Sequence, residues 1–179
     1  MTIPAPDPRY PIGKFELQPF SQHLKERFLA DLSFLPTDVE RVVENLDEAQ
    51  LDTPYRDGGW TIRQLVHHIA DSHMNAYIRF KLAMTEESPT VSPYEEKDWA
   101  VLDDVYSEPI NVSATLLHAL HRRWVSAIKN LEDSVWEQKT IFHPGNNRKM
   151  TLWELLGTYA WHGKHHVAHI ASLRALKGW

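Results

Sequence analysis

Seven of the chain's 11 histidines fall in two short windows: His67, His68 and His73 in one, and His162, His165, His166 and His169 in the other. Neutral imidazole is the commonest protein ligand for transition metals. Two histidines at i and i+4 on a helix set both rings on one face, one turn apart, where both reach a single ion. The second window holds two such pairs, 162/166 and 165/169. At about 100° per residue, Leu156, Tyr159, Val167 and Ile170 define an apolar face. His166 lies about 60° from its centre, His162 about 100°, His169 about 120° and His165 about 160°. The pair His162/His166 therefore borders a bundle interior, where metal sites are built from inward side chains on facing helices, and His165 faces away. Gly163 falls on the centre of the face and leaves room beside the two inner histidines. In the first window the same construction turns His67 to solvent. It puts His68 at the edge of the apolar face and His73 well inside it, and it does not choose between them as a third ligand.

The other candidates read more plainly. His118 and His23 are expected on the surface, His121 on the surface or else approaching the site, and His143 in a turn. Trp60 and Trp161 flank the histidine windows and read as packing residues that could line a pocket. Glu86, Glu87, Glu95, Glu96 and Asp98 read as a solvated face. Asp71, one turn from His68, is a candidate for orienting a ligand or moving protons, and no residue stands out as a general base. Cysteine is absent, which excludes disulfides, zinc–thiolate sites, iron–sulfur clusters and a cysteine nucleophile. There is no Gly-x-Ser-x-Gly elbow either.

Four long helical segments must position these residues. Residues 21–48 carry Phe28, Leu29, Leu32 and Leu35, then Val39, Val42, Val43 and Leu46, at three- and four-residue spacing. Pro36 interrupts them, so one kinked helix or two short ones are expected. Thr61 and Gln64 form a capping box that opens a helix over 61–85. Pro89 and Pro93 begin a long connection with a possible short turn of helix near 95–102. A third helix spans about 112–131 on Leu117, Leu120, Trp124, Ala127 and Leu131. The turn signal at 143–147 could join short strands at 140–142 and 149–150. Thr151 and Glu154 make a second capping box, and the helix it opens runs to about residue 176, with Gly178 beyond its end. The expectation is an all-α four-helix bundle, its long second link permitting a crossover. Residues 1–20, with Pro4, Pro6, Pro8 and Pro11, read as an extended N-terminal arm, and residues 21–179 as a single helical-bundle metal-binding domain.

Composition narrows the function. The chain has 179 residues, 42% hydrophobic and 24% charged, which suits one globular domain. A net charge of −5 and a pI near 6.1 lack the basic footprint of a nucleic-acid binder. No apolar run of about 18 residues spans a membrane. Prolines stand where a signal peptide would be apolar, so a cytoplasmic protein is expected.

Residues 51–75, LDTPYRDGGWTIRQLVHHIADSHMN, and 161–169, WHGKHHVAH, resemble the YfiT branch of the DinB superfamily. The resemblance extends over most of the chain from Tyr10 to Trp179. It implies a four-helix bundle and metal-dependent hydrolysis, with thiol S-transfer using bacillithiol or similar thiols among related members. The superfamily pattern is a histidine eight residues after a Trp-Thr/Ser start, then His-x-x-x-His late in the chain. It falls here on His68, His162 and His166, and so implies that set as the metal ligands. His169 stands where many relatives carry glutamine. The resemblance also points to a homodimer.

Three neutral imidazoles leave at least one coordination position open, as catalytic sites do. A water there can have its pKa lowered to about 7, which is the hydrolase reading. A low-molecular-weight thiol at the same position would give S-transfer. A non-enzymatic metal-binding protein is the third reading. Imidazole suits several metals; one zinc ion per subunit is expected, with nickel as the alternative, acting on a small-molecule substrate.

Overall fold

The computed structural model describes residues 7–179; Pro4 and Pro6 of the expected arm lie outside them. Among the described residues there are eight α-helices: α1 (Gln22–Val43), α2 (Glu48–Leu51), α3 (Ile62–Thr85), α4 (Glu96–Trp99), α5 (Asp103–Ser107), α6 (Ile110–Ile128), α7 (Asp133–Gln138) and α8 (Leu152–Lys177). A hairpin of β1 (Thr140–His143) and β2 (Arg148–Thr151) precedes α8, with Thr140 opposite Thr151. Its turn places Asn147 at φ +48°, a left-handed conformation asparagine tolerates. No described helix is long and apolar enough to cross a membrane.

Local chemistry sets the boundaries. Ser21 caps α1 by accepting from Leu24 N–H. Thr61 and Gln64 close both halves of a capping box on α3 at 3.1 and 2.9 Å. The Gln64 amide also donates to Ala100 O at 2.9 Å, which ties the start of α3 to the long connection. At α8 only half of the expected box forms. Thr151 Oγ1 accepts from Glu154 N–H, while the Glu154 carboxylate pairs with Arg148 on β2 at 2.5 Å.

Pro36 does not break α1, which is one continuous helix. A proline lacks the N–H that would bond the carbonyl four residues back, here Leu32. His121 of α6 supplies the missing donor, its Nδ1–H reaching Leu32 O at 2.6 Å.

The long helices form a four-helix bundle. α1 packs on α6 and α8, and α3 packs on the same two. The consecutive long helices α1 and α3 therefore lie on a diagonal. Two apolar clusters fill the interior. One takes positions 62–70 of α3 and 170–173 of α8, and the other takes 76–83 and 152–160. His73 and the histidines at 162–169 occupy the interval between them.

α8 is buried on more than one side, because residues 7–20 run along it. Trp153 Nε1–H donates to Gln18 O at 2.8 Å, and Trp161 Nε1–H to Gly13 O at 3.1 Å. A side chain at Gly163 would overlap Leu35 of α1. The room expected beside the histidines is thus filled by Leu35, and glycine lets α8 approach α1.

Candidate metal centre

α3 delivers His68 and α8 delivers His162 and His166, one turn apart. The Nε2 atom of His162 lies 3.3 Å from His68 Nε2 and 3.1 Å from His166 Nε2. One ligand atom from each of the three falls within 4.8 Å of the others. Two nitrogens bound at about 2.0–2.1 Å to a tetrahedral ion stand about 3.3 Å apart, so the spacing fits one divalent ion.

The donor set is electrically neutral. Burial pushes the His68 imidazole down to about 4. Burial, reinforced by the neighbouring imidazoles, holds His162 and His166 well below their ordinary value. All three rings are therefore neutral at neutral pH, and a metal would not compete with the second proton of an imidazolium.

His73 also reaches this group, from the other side of the same ring. Its Nε2 lies 3.2 Å from His162 Nδ1. His68 and His73 are about 140° apart on their helix, yet both touch His162 because it presents one nitrogen to each. For His162 Nε2 to offer a lone pair, the proton must sit on Nδ1, and that N–H then donates to His73 Nε2. His73 is fully buried and stacks on His121 with ring centroids 5.0 Å apart. Its depth in the apolar face, legible from the wheel, was the signal that it needs a polar partner.

Three sequence expectations are corrected by packing. His67 is buried, not solvated, with Nδ1 2.8 Å from Ser113 Oγ of α6. His121 is buried, not on the surface, held by the carbonyl that Pro36 frees. His165 does not face away into solvent. It is buried under Trp161, stacked at 4.4 Å, and beside Tyr10 of the N-terminal segment at 6.0 Å. Its Nε2 lies 3.0 Å from His169 Nε2, and His165, His166 and His169 form a second close group. His169 packs against Tyr55 at 4.1 Å between centroids.

A cleft of about 510 Å³ opens over His68, His162 and His166. Trp60 leans on His68 at 4.7 Å and forms one wall, and Trp161 another. Both tryptophans expected as packing residues thus line the cleft. Asp71 does not line it. Its carboxyl is pushed up to about 6 by burial and by Asp104, which places it on the α5 side of α3. The arrangement can hold one divalent ion with an accessible face, and no carboxylate stands beside the three rings as a fourth protein ligand among the described residues.

The fold and the paired histidine helices define a DinB-type bundle, and comparison with known proteins gives the same class. The model of the DinB superfamily matches residues 31–170, and the chain belongs to that superfamily. A protein of Bacillus mycoides (strain KBAB4), provisionally named a metal-dependent hydrolase, is 48% identical over 174 residues, covering 97% of this chain and 99% of the relative. A Bacillus cereus (strain AH820) protein with the same provisional name matches to the same extent. Among solved structures, YfiT from Bacillus subtilis superposes with a TM-score of 0.92 at 44% identity, covering 96% of this chain and 98% of that one. It is described as a probable metal-dependent hydrolase with an unusual four-helix bundle topology.

Proposed function

We propose that this protein is a hydrolase whose single divalent ion is held by His68, His162 and His166 and faces the cleft between Trp60 and Trp161. The observation that carries the reading is the convergence of three neutral Nε2 atoms at 3.1 and 3.3 Å on the floor of an open cleft. The kinship with provisionally named metal-dependent hydrolases supports it. A bound divalent ion would supply Lewis acidity, lowering the pKa of water to about 7 and polarising a substrate carbonyl.

The chain's own residues do the rest. His68, His162 and His166 fix the ion from two helices, and His73 holds His162 in the ligating tautomer. Trp60 and Trp161 wall the substrate from bulk water. Zinc is our choice of native metal, with nickel able to occupy the same imidazole set. The proposal includes a cytoplasmic homodimer. Static light scattering returning the mass of one 20.8 kDa chain at high concentration would contradict the dimer, and cell fractionation tests the location.

The test of the reaction class is turnover of ester and amide panels by zinc- or nickel-loaded protein, with His166→Ala as the control. Metal-dependent hydrolysis that vanishes in the variant supports the reading. Conjugation of monochlorobimane that requires an added low-molecular-weight thiol, with no hydrolysis, replaces it with S-transfer. Neither activity across both panels overturns the enzyme assignment in favour of metal binding alone.

A further inference from the structure

The charges around the cleft are unbalanced. Arg56 and Lys97 line it, against the single carboxylate of Glu96. Several cations elsewhere meet carboxylates: Arg63 meets Glu48 and Asp52, Lys25 meets Asp133, and Lys164 meets Asp31. Among the described residues neither Arg56 nor Lys97 has a carboxylate within 4.0 Å. The imidazoles below them are neutral, and a divalent ion held there would add positive charge without adding an anion.

Arg56 is also held in place. Its guanidinium lies over the Tyr55 ring at 5.3 Å, and Nη1–H donates to Asp57 O at 3.0 Å. Gly59 packs against its stem so closely that a side chain there would press on Arg56 Cγ. Its Nε is buried without an acceptor. A planar guanidinium with unmet donors, fixed beside two indole walls, matches a carboxylate and a flat apolar group together.

We propose that the cleft selects small carboxylate-bearing acyl compounds, the non-reacting carboxylate on Arg56, an aryl or similar flat group between Trp60 and Trp161, and the scissile carbonyl over the three histidines. The placement of the carbonyl rests on the hydrolase reading; the choice of an anion does not. Lys97, exposed at the rim, adds attraction without fixed geometry.

The experiment therefore reads binding and not turnover. Hippurate and its neutral analogue hippuramide are titrated into metal-free, full-length protein and followed by tryptophan fluorescence and calorimetry. Hippurate is expected to bind at least tenfold tighter than hippuramide. Arg56→Gln is expected to erase that preference. Arg56→Lys keeps part of it, and Lys164→Gln, a charge change outside the cleft, leaves it intact. Circular dichroism checks that each variant is folded. Equal binding of the two probes, or a preference that survives in folded Arg56→Gln, overturns the proposal. An Arg56-dependent preference in a protein that hydrolyses nothing would sink the hydrolase reading and leave this one standing.

Discussion

His73 Nε2 stands 3.2 Å from His162 Nδ1, with His73 fully buried and His162 open to the cleft. With His73 Nε2 as acceptor, this contact holds the His162 proton on Nδ1 and leaves Nε2 free to ligate. Partners of this kind typically matter tenfold to a hundredfold in metal affinity. His73→Ala is expected to weaken zinc binding by about that factor, measured by competition with a chromophoric chelator. His73→Gln, whose carbonyl oxygen can accept from Nδ1–H, should recover part of the loss. Unchanged affinity in folded His73→Ala would show that the contact does not orient the ligand.

The ligand set itself is tested by metal content. His68→Ala, His162→Ala and His166→Ala should each lose most bound metal after gel filtration. His67→Ala should keep it, since that ring is turned to Ser113. His165→Ala and His169→Ala discriminate between the two histidine groups, which share His166. Full occupancy in His166→Ala would exclude both groups, whereas loss in His165→Ala and His169→Ala with retention in His68→Ala would move the ion to the other group.

The carbonyl freed by Pro36 gives a stability prediction. Removing His121 leaves Leu32 O without its 2.6 Å partner and opens space beside His73. The cost of an unmet buried polar group plus a cavity is about 2–4 kcal/mol. Pro36→Ala restores a backbone N–H that can bond Leu32 O. The double variant should thus regain about 1 kcal/mol relative to additivity, read from urea unfolding. Strict additivity would mean that the His121 donor and the proline are not coupled.

How far the site could be read from residues depended on what covers each helix. The wheel located His162, His166 and the edge position of His68 because those positions depend only on the local 3.6-residue period. It misplaced His165 because it treated α8 as a one-sided helix, whereas Tyr10 and the segment running past Gly13 and Gln18 cover a second side. His67 failed for the same reason, since α6 brings Ser113 over the outer face of α3. The capping residues Thr61 and Thr151 marked helix starts because capping is local. The continuity of α1 through Pro36 was not legible, because the donor that repairs it comes from a residue 89 positions away. The short helix α7 was missed, having too few residues to show a period.

The histidines also make the metal-free protein sensitive to acid. Burial lowers His68 and His121 to about 4 in the folded chain, with the Leu32 carbonyl opposing that shift at His121. In the unfolded chain both titrate near 6.5. Between those values the unfolded state binds more protons, so stability is greatest above 6.5 and falls as pH falls. Each of these two groups costs about 1 kcal/mol between pH 6.5 and 5.5. His73, His162 and His166 are also held low and act in the same direction. Asp71 acts oppositely. Its carboxyl is raised to about 6, so its protonation on the way down favours the folded state, but it is one partly exposed group against five imidazoles. The urea midpoint of metal-free protein should therefore fall clearly from pH 6.5 to 5.5 and change little from 8.5 to 7.5. A midpoint that is flat across 6.5 to 5.5 would mean that the imidazoles take up protons in the folded state, and the neutral donor set argued for the metal would fail with it.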